Sequence, residues 1–270
     1  MTYLEVQYNI SQKEYPSLLN ALDNALEHKA PENIYVKGNS ELLGELDNNR
    51  KGIAIIGSRD IDENSYISTE KFFQDYLIGE DWIVISGLAK GSDTIGHKFA
   101  LKYGMKTVAI LGPGTNNIYP KENEHLALEI LENQGVLISE NPPDFYPRQR
   151  FEFAKCLVDR DRLQAAMSSG IFVVEAGDIS GTWHAVSWGL RLGKPIFTYP
   201  ETNAHKILSK YIDGKIEKEW LSKYKIKPFN DAFNRIYFLD EEFHKNNFVR
   251  IMDNPLLKKH NKQISLDVYQ

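Results

Sequence analysis

The sequence predicts an α/β protein: a Rossmann-like, doubly wound, mostly parallel sheet with a small N-terminal extension and a C-terminal α+β appendage. Three observations predict it. The runs Ile53-Ala54-Ile55-Ile56 and Trp82-Ile83-Val84-Ile85 are apolar throughout, as strands covered on both faces are. Stretches of helical periodicity, about ten to fifteen residues long, separate runs of this kind. Each run is closed at its C-terminal end by small residues, Gly57-Ser58-Arg59 and Ser86-Gly87, at the edge where a doubly wound sheet opens its ligand crevice.

Taken in order, the chain opens with a preface, residues 1–50. Leu18, Leu19, Leu22, Ala25 and Leu26 recur at helical spacing between Tyr15 and Lys29, with Pro16 near the start. Ile34-Tyr35-Val36 reads as a short strand before a Gly38-Asn39 turn, and Asn48-Asn49-Arg50-Lys51 as a polar link. The main domain, residues 51–200, alternates strands with helices. The strands are expected at Ile53–Ile56, Trp82–Ser86, Thr107–Leu111, Val136–Ser139, Ile171–Glu175 and Pro195–Tyr199. The helices are expected at Ser65–Ile78, Ser92–Tyr103, Asn123–Asn133, Phe153–Met167 and Thr182–Leu192. Such alternation implies parallel pairing. Residues 201–270 change character, with thirteen Lys/Arg against ten Asp/Glu, so the first two hundred residues carry −8 of the net −5. Helical patches are expected there at His205–Ile212 and Ile216–Tyr224, a strand at Ile236–Leu239, and a polar, partly disordered tail from Lys258.

Composition narrows the function. A chain of 270 residues with 42% apolar content can bury a proper core. The negative charge confines any nucleic-acid contact to a local patch. One cysteine, Cys156, leaves no disulfide within the chain and no cysteine-rich zinc site. No apolar run nears the roughly eighteen residues of a membrane helix, and no leader is evident, so a cytoplasmic protein is expected.

The loops after the strands carry the chemistry. Backbone N–H groups at helix starts hold anions, and an arginine fork suits phosphate. Gly57-Ser58-Arg59 has one glycine where a dinucleotide fingerprint needs three, so a tightly bound NAD is not expected, nor any other cofactor. Arg59 reads as an anion contact or as a solvated loop arginine. Ser86-Gly87-Leu88-Ala89-Lys90-Gly91-Ser92-Asp93 closes the second strand, adding Lys90 to the same edge. Gly112-Pro113-Gly114 with Tyr119-Pro120-Lys121 closes the third, either as a plain turn or as a second source of charge. Arg160 and Arg162 lie two apart on a helix and so do not share one face. One is free to meet the crevice while the other pairs with a carboxylate. Ser180-Gly181-Thr182 is a helix N-cap or a phosphate loop. His97 and His184 have no second ligand at metal spacing, and packing or hydrogen bonding is the simpler role.

These blocks resemble the DNA-processing protein A family (DprA/Smf). The likeness runs from about Tyr15 to Pro200 and is carried by Tyr15-Pro16, Ile34-Tyr35-Val36-Lys37-Gly38-Asn39, Ile53–Arg59, Ser86–Asp93 with His97 and Ala100-Leu101, Tyr119–Asn123, Leu137–Glu140, Arg160-Asp161-Arg162-Leu163, and Val174-Glu175-Ala176 leading to Ser180-Gly181-Thr182. The resemblance implies a non-enzymatic binder of single-stranded DNA that loads a RecA-type recombinase, acts in DNA uptake and transformation, and forms a homodimer. It implies Arg59 and Lys121 as the main phosphate contacts. Gly57, Ser58, Ser86, Gly87 and Gly91 would give close backbone approach, and Arg160, Arg162, Ser180 and Gly181 the rim. Lys90 and Thr182 complete the expected set. The chain departs from the family at Asp161, where Arg-Asn-Arg is usual, at Ser92, where Gly-Ile-Asp is usual, and in lacking an evident C-terminal winged helix.

Two other classes fit the same scaffold. One is a nucleotide or nucleotide-signal sensor, in a mobile-element or phage-defence setting, with Trp183 or Tyr119 stacking on a base. The other is a nucleotide phosphoribohydrolase, whose relatives carry a glutamate after the Gly-Thr where this chain has Trp183-His184-Ala185. For a dimer, Trp188 and Leu192 fall one turn apart and offer either an interface stripe or a face packed on residues 201–270.

Overall fold

The computed structural model describes residues 7–11, 19, 22, 30–47, 51–230 and 235–253. Along the chain lie β1 (Gln7–Ser11), β2 (Asn33–Gly38), α1 (Glu41–Asp47), β3 (Lys51–Ile56), α2 (Glu63–Phe72), β4 (Trp82–Ser86), α3 (Ser92–Lys102), β5 (Lys106–Ile110), α4 (Glu124–Glu132) and β6 (Val136–Ser139). They continue with α5 (Arg150–Met167), β7 (Gly170–Val173), α6 (Thr182–Arg191), β8 (Ile196–Thr198), α7 (Asn203–Ile212), α8 (Lys218–Lys223), β9 (Ile236–Phe238) and α9 (Lys245–Asp253). Apart from Leu19 and Leu22, both fully buried, the stretch Tyr15–Lys29 where a helix is expected and the tail from Lys258 lie outside the described residues.

The strands form one sheet in the order β1-β2-β6-β5-β4-β3-β7-β8-β9. Every pairing from β6 to β9 is parallel, and β2 joins antiparallel to β6 with β1 antiparallel outside it. The six central strands expected from the apolar runs are all present. Their near-continuous burial follows from helices on both faces: Ala54 and Ile56 pack with Ile85, Val173 and Trp183, while Ile53 and Ile55 pack with Phe72, Phe99 and Phe172. By contrast β2 alternates, with Ile34, Val36 and Gly38 inside and the residues between them half-buried.

Strand order reverses between β3 and β7, which are neighbours although three strands, β4, β5 and β6, lie between them in the chain. That switch point is where an open α/β sheet leaves a crevice at the carboxyl ends of its strands. Helix α5, which lies over it, starts three residues before the expected Phe153, because the Glu152 carboxylate accepts from the N–H groups of Arg148 and Gln149 and closes the first turn.

Hydrogen bonding crosses both boundaries of the sequence division at 50 and 200. On one side β2 is laddered to β6; on the other β9 is laddered to β8 by Ile196↔Ile236, Phe197↔Tyr237 and Thr198↔Phe238. Phe248, Ile251 and Met252 of α9 enter the same core cluster as Phe72 and Phe172. Phe72 stacks on Phe172 at 3.9 Å and meets Phe248 edge-on at 5.7 Å, so α2, β7 and α9 share one aromatic contact. The Trp188–Leu192 stripe is not an exposed interface. It lies under the segment that follows β8: Trp183 packs on Trp220, His184 on Tyr224, and the Ser187 hydroxyl and Arg191 guanidinium both donate to the Lys225 carbonyl. Trp188 is buried, with the Arg191 guanidinium over its ring. No described helix is long and apolar enough to cross a membrane.

Candidate anion-binding cleft

Three loops are locked together at the switch point by backbone geometry. The Ser58 N–H donates to the Glu175 carbonyl at 2.7 Å, and the Ser58 carbonyl accepts from both the N–H and the hydroxyl of Ser92, each at 3.0 Å. This closeness demands glycine twice. A Cβ on Gly57 would lie 2.3 Å from the Ser92 hydroxyl and 2.8 Å from the Glu175 carbonyl. Gly91 has φ +71°, and its Cβ would lie 2.4 Å from the carbonyls of Ser58 and Arg59.

Above these loops opens a cleft of about 440 Å³ between α5 and the start of α6. Seven of the thirteen expected residues line it: Gly57, Ser58, Arg59, Arg160, Ser180, Gly181 and Thr182. Arg59 is exposed and makes no hydrogen bond or ion pair among the described residues. Arg160 is 6% exposed, 3.4 Å from Asp93 through Nη2 and 3.5 Å from Asp161 through Nε. Its Nε and Nη1 hydrogens find no hydrogen-bond acceptor, nor does Nε2 of Gln164 in the same lining. Buried donors left this way cost free energy until an acceptor arrives. Gly181 and Thr182 open α6 at the rim, where the Thr182 N–H donates to the Ser180 hydroxyl at 3.2 Å and the Gly181 N–H has no partner inside the helix.

The remaining expected residues lie outside the cleft lining. The Ser86 hydroxyl is fully buried and donates to the Ile55 carbonyl at 2.6 Å. Gly87 makes room for Arg160. Lys90 reaches the Glu122 carboxylate at 2.6 Å, and Lys121 is exposed on the neighbouring loop; neither lines the cleft. Arg162 points to the other side of α5, where it holds the Glu140 carboxylate through two hydrogen bonds, at 2.8 and 2.5 Å, next to a separate hollow beside His184 and Trp188. The i, i+2 spacing had required that one of the two arginines turn away. Trp183 is fully buried and donates to the Gly177 carbonyl, so it does not stack on a ligand; Tyr119 packs edge-on against Phe153 at 4.4 Å.

Four lining residues outside the expected set bear on the site: Asp93, Gln164 and Ile179, which sequence reasoning missed, and Asp161, seen only as an added carboxylate. Asp93 is the anchor: its Oδ2 accepts from the N–H groups of Gly87 and Ala89, both at 3.2 Å, besides facing Arg160. Gln164 follows Arg160 by one turn, a spacing that carried the signal. Ile179 stands 86% exposed on the rim. Asp161 has its carboxyl pushed up to about 7, chiefly by burial and further by Asp93, with Arg160 and Arg59 opposing. Behind the cleft His97 is fully buried, and burial and the Arg160 charge push it down to about 3. The Thr107 hydroxyl donates to the Val84 carbonyl, so it accepts from Nδ1–H of the neutral imidazole at 2.7 Å. Burial raises the Cys156 thiol, which disfavours a thiolate. Among the described residues no cluster of metal-ligand side chains occurs. A larger hollow of about 890 Å³ on the far side of Glu175 is lined by Asp62, Asp75, Glu201, Asp240 and Glu241, and its charge repels a polyanion.

The cleft geometry stands beside a match along most of the chain: the sequence profile of DNA recombination-mediator protein A covers residues 7–214. The chain belongs to that family. Among its relatives, DNA processing protein DprA of Streptococcus pneumoniae is 32% identical over 173 residues, which is 64% of this chain and 57% of that protein. The Bacillus subtilis protein of the same name is 29% identical over 191 residues, 71% of this chain and 59% of that one. This chain thus spans little more than half the length of these relatives. The crystal structure of the S. pneumoniae protein superposes with a TM-score of 0.64 at 28% identity, over 77% of this chain and 70% of that chain. DNA processing protein A of Helicobacter pylori superposes at 0.63 with 21% identity, over 83% of this chain and 97% of its own, a likeness of fold.

Proposed function

We propose that this chain is a non-enzymatic single-stranded-DNA-binding protein of DNA processing and recombination. The observation that carries the reading is Arg160: a buried guanidinium in the cleft lining, held by Asp93, whose Nε and Nη1 hydrogens have no hydrogen-bond acceptor. A phosphodiester oxygen supplies that acceptor. Arg59 meets the same phosphate from the solvent side, and the N–H group of Gly181 takes a second oxygen. Lys121 and Lys90, at the same sheet edge, extend the path to neighbouring phosphates. Bases then rest against the exposed apolar rim at Ile179 and, at the start of α5, on the exposed ring of Phe151. Backbone contact of this kind binds without regard to sequence and weakens steeply with salt. Single-stranded DNA is the ligand in the H. pylori protein's reported binding mode; for this chain the reading rests on the cleft and on family membership. The hydroxyls of the cleft are engaged with their own loops, Ser180 donating to Thr182 and accepting from its N–H, which fits a binding rim better than an activated nucleophile.

The same reading assigns a RecA-type recombinase as partner, a homodimer as the working unit and the cytoplasm as the compartment. With α6 covered, the dimer contact belongs to another face. Fluorescence anisotropy with a labelled oligothymidylate and with the corresponding duplex, at two salt concentrations, tests the proposal. Tighter, salt-sensitive binding of the single strand is expected; equal, weak binding of both forms at low salt overturns it. One observation favours a second reading. A cleft of about 440 Å³ also matches a single nucleotide. A nucleotide that raises the melting temperature while oligothymidylate does nothing would select that alternative.

A further inference from the structure

Asp161 is at odds with an anion cleft. Its side chain is 13% exposed and accepts no hydrogen bond among the described residues; its Oδ1 stands 3.5 Å from Nε of Arg160, a charge contact without hydrogen-bond alignment. The charged groups around it come from three elements. Arg160 and Asp159 share its helix, Asp93 stands on α3, and Arg59 on the loop after β3. Asp159 is held by Lys155 at 2.9 Å. The lining charges are therefore Arg59 and Arg160 against Asp93 and Asp161, which cancel when both carboxyls are ionised. Asp93 cannot be spared, because it fixes the loop at Gly87 and Ala89. Asp161 makes no such bond, so of the two lining carboxylates it is the one that can be neutralised without loosening the site.

We propose that Asp161 couples phosphodiester binding in this cleft to the uptake of one proton. The inference rests on the single-stranded-DNA reading above. With its carboxylate ionised, Asp161 occupies the field of Arg160 and repels an entering phosphate. Protonated, it leaves the cleft with one net positive charge and turns an acceptor into a donor able to hydrogen-bond a phosphate oxygen. Burial without hydrogen bonds already favours the neutral form, raising the carboxyl to about 7, where a modest pH change shifts its occupancy. An anion bound beside it raises it further, and linkage then requires proton uptake on binding.

The test is anisotropy titration of the full chain with labelled oligothymidylate, whose base does not titrate between about pH 6 and 8, at constant ionic strength. If only the protonated cleft binds, a group titrating near 7 makes wild-type affinity roughly tenfold weaker at about pH 8 than at about pH 6. Asp161→Asn is expected to bind about tenfold tighter than wild type at the higher pH and to show a nearly flat profile. Surface histidines contribute equally to both proteins and cancel in the comparison. Calorimetry of the wild type in two buffers of different ionisation enthalpy gives a second readout that needs no variant: close to one proton taken up per site at about pH 8. A flat wild-type profile, the same slope in Asp161→Asn, or binding without proton uptake overturns the coupling alone. No binding of the oligonucleotide by either protein even at the lower pH overturns the DNA reading and the coupling together.

Discussion

A Cβ on Gly87 would lie 1.4 Å from Nη1 of Arg160, so the glycine at the end of β4 is the space in which the guanidinium of α5 rests. Asp93 fixes both partners, accepting from the Gly87 N–H and facing Nη2. The charge in the cleft is thus delivered from a helix on one face of the sheet through a gap left in a loop at the strand ends.

Gly87→Ala is expected to displace Arg160 from that gap while leaving the fold intact, since the clash is with the far end of a flexible side chain. Loss of a charge-assisted contact of about 1.5–3 kcal/mol weakens single-stranded-DNA binding by roughly tenfold or more. Anisotropy reads the loss, and circular dichroism with a thermal melt confirms the fold. Unchanged affinity would mean that Arg160 does not hold the ligand.

Arg59 is exposed and partnerless, so Arg59→Ala is expected to leave stability within about 0.5 kcal/mol of wild type. If it meets one phosphate, the slope of log affinity against log salt falls by about 0.7, the value for one contact on a single strand. Titrations at three salt concentrations measure the slope. An unaltered slope would place Arg59 outside the interface.

Two buried groups act on stability with opposite sign. Asp161, raised from 3.8 to about 7, contributes stability that is present below about pH 4 and lost as pH rises through 7. His97, lowered from 6.5 to about 3, contributes stability that is present above about 6.5 and lost as pH falls toward 3. Between about pH 4.5 and 6.5 the two slopes offset each other. Asp161→Asn is therefore expected to gain stability with rising pH across that window relative to wild type, and His97→Gln to lose it. Each difference is on the order of 2 kcal/mol, read from urea denaturation at both ends. Parallel curves for all three proteins would refute the assignment.

Phe248→Ala removes a fully buried ring that meets Phe72, Tyr76, Trp82 and Phe197. A cost of about 3–5 kcal/mol is expected, the value for a phenyl cavity in a domain core. The same denaturation measurement checks it. A cost below about 1 kcal/mol would mean that α9 is peripheral to the fold.

The central sheet was legible because strands buried on both faces are mainly apolar, and β3 to β8 each carry an apolar run, with their few polar residues toward the ends. Two helices were not. α1 is short and carries Gly44, while α9 hides its buried Phe248, Ile251 and Met252 among Lys245, Asn246, Asn247 and Arg250. Their i, i+3, i+4 spacing was nevertheless a helical signal. In the cleft, sequence marked the loops that converge but not where side chains point. It could not show that the Ser86 hydroxyl turns inward to Ile55, that Lys90 is drawn to Glu122 thirty-two residues away, or that Arg162 is committed to Glu140. Such pairings are set by tertiary geometry. Asp161 was visible as an added carboxylate; its burial beside Arg160 was not.

The most direct measurement is a crystal structure of this chain with a short oligothymidylate. The account predicts a backbone phosphate within hydrogen-bond distance of Nη1 of Arg160 and of the Gly181 N–H at the start of α6, with Arg59 closing over it. An oligonucleotide bound elsewhere, with the Arg160 donors still unoccupied, would contradict it.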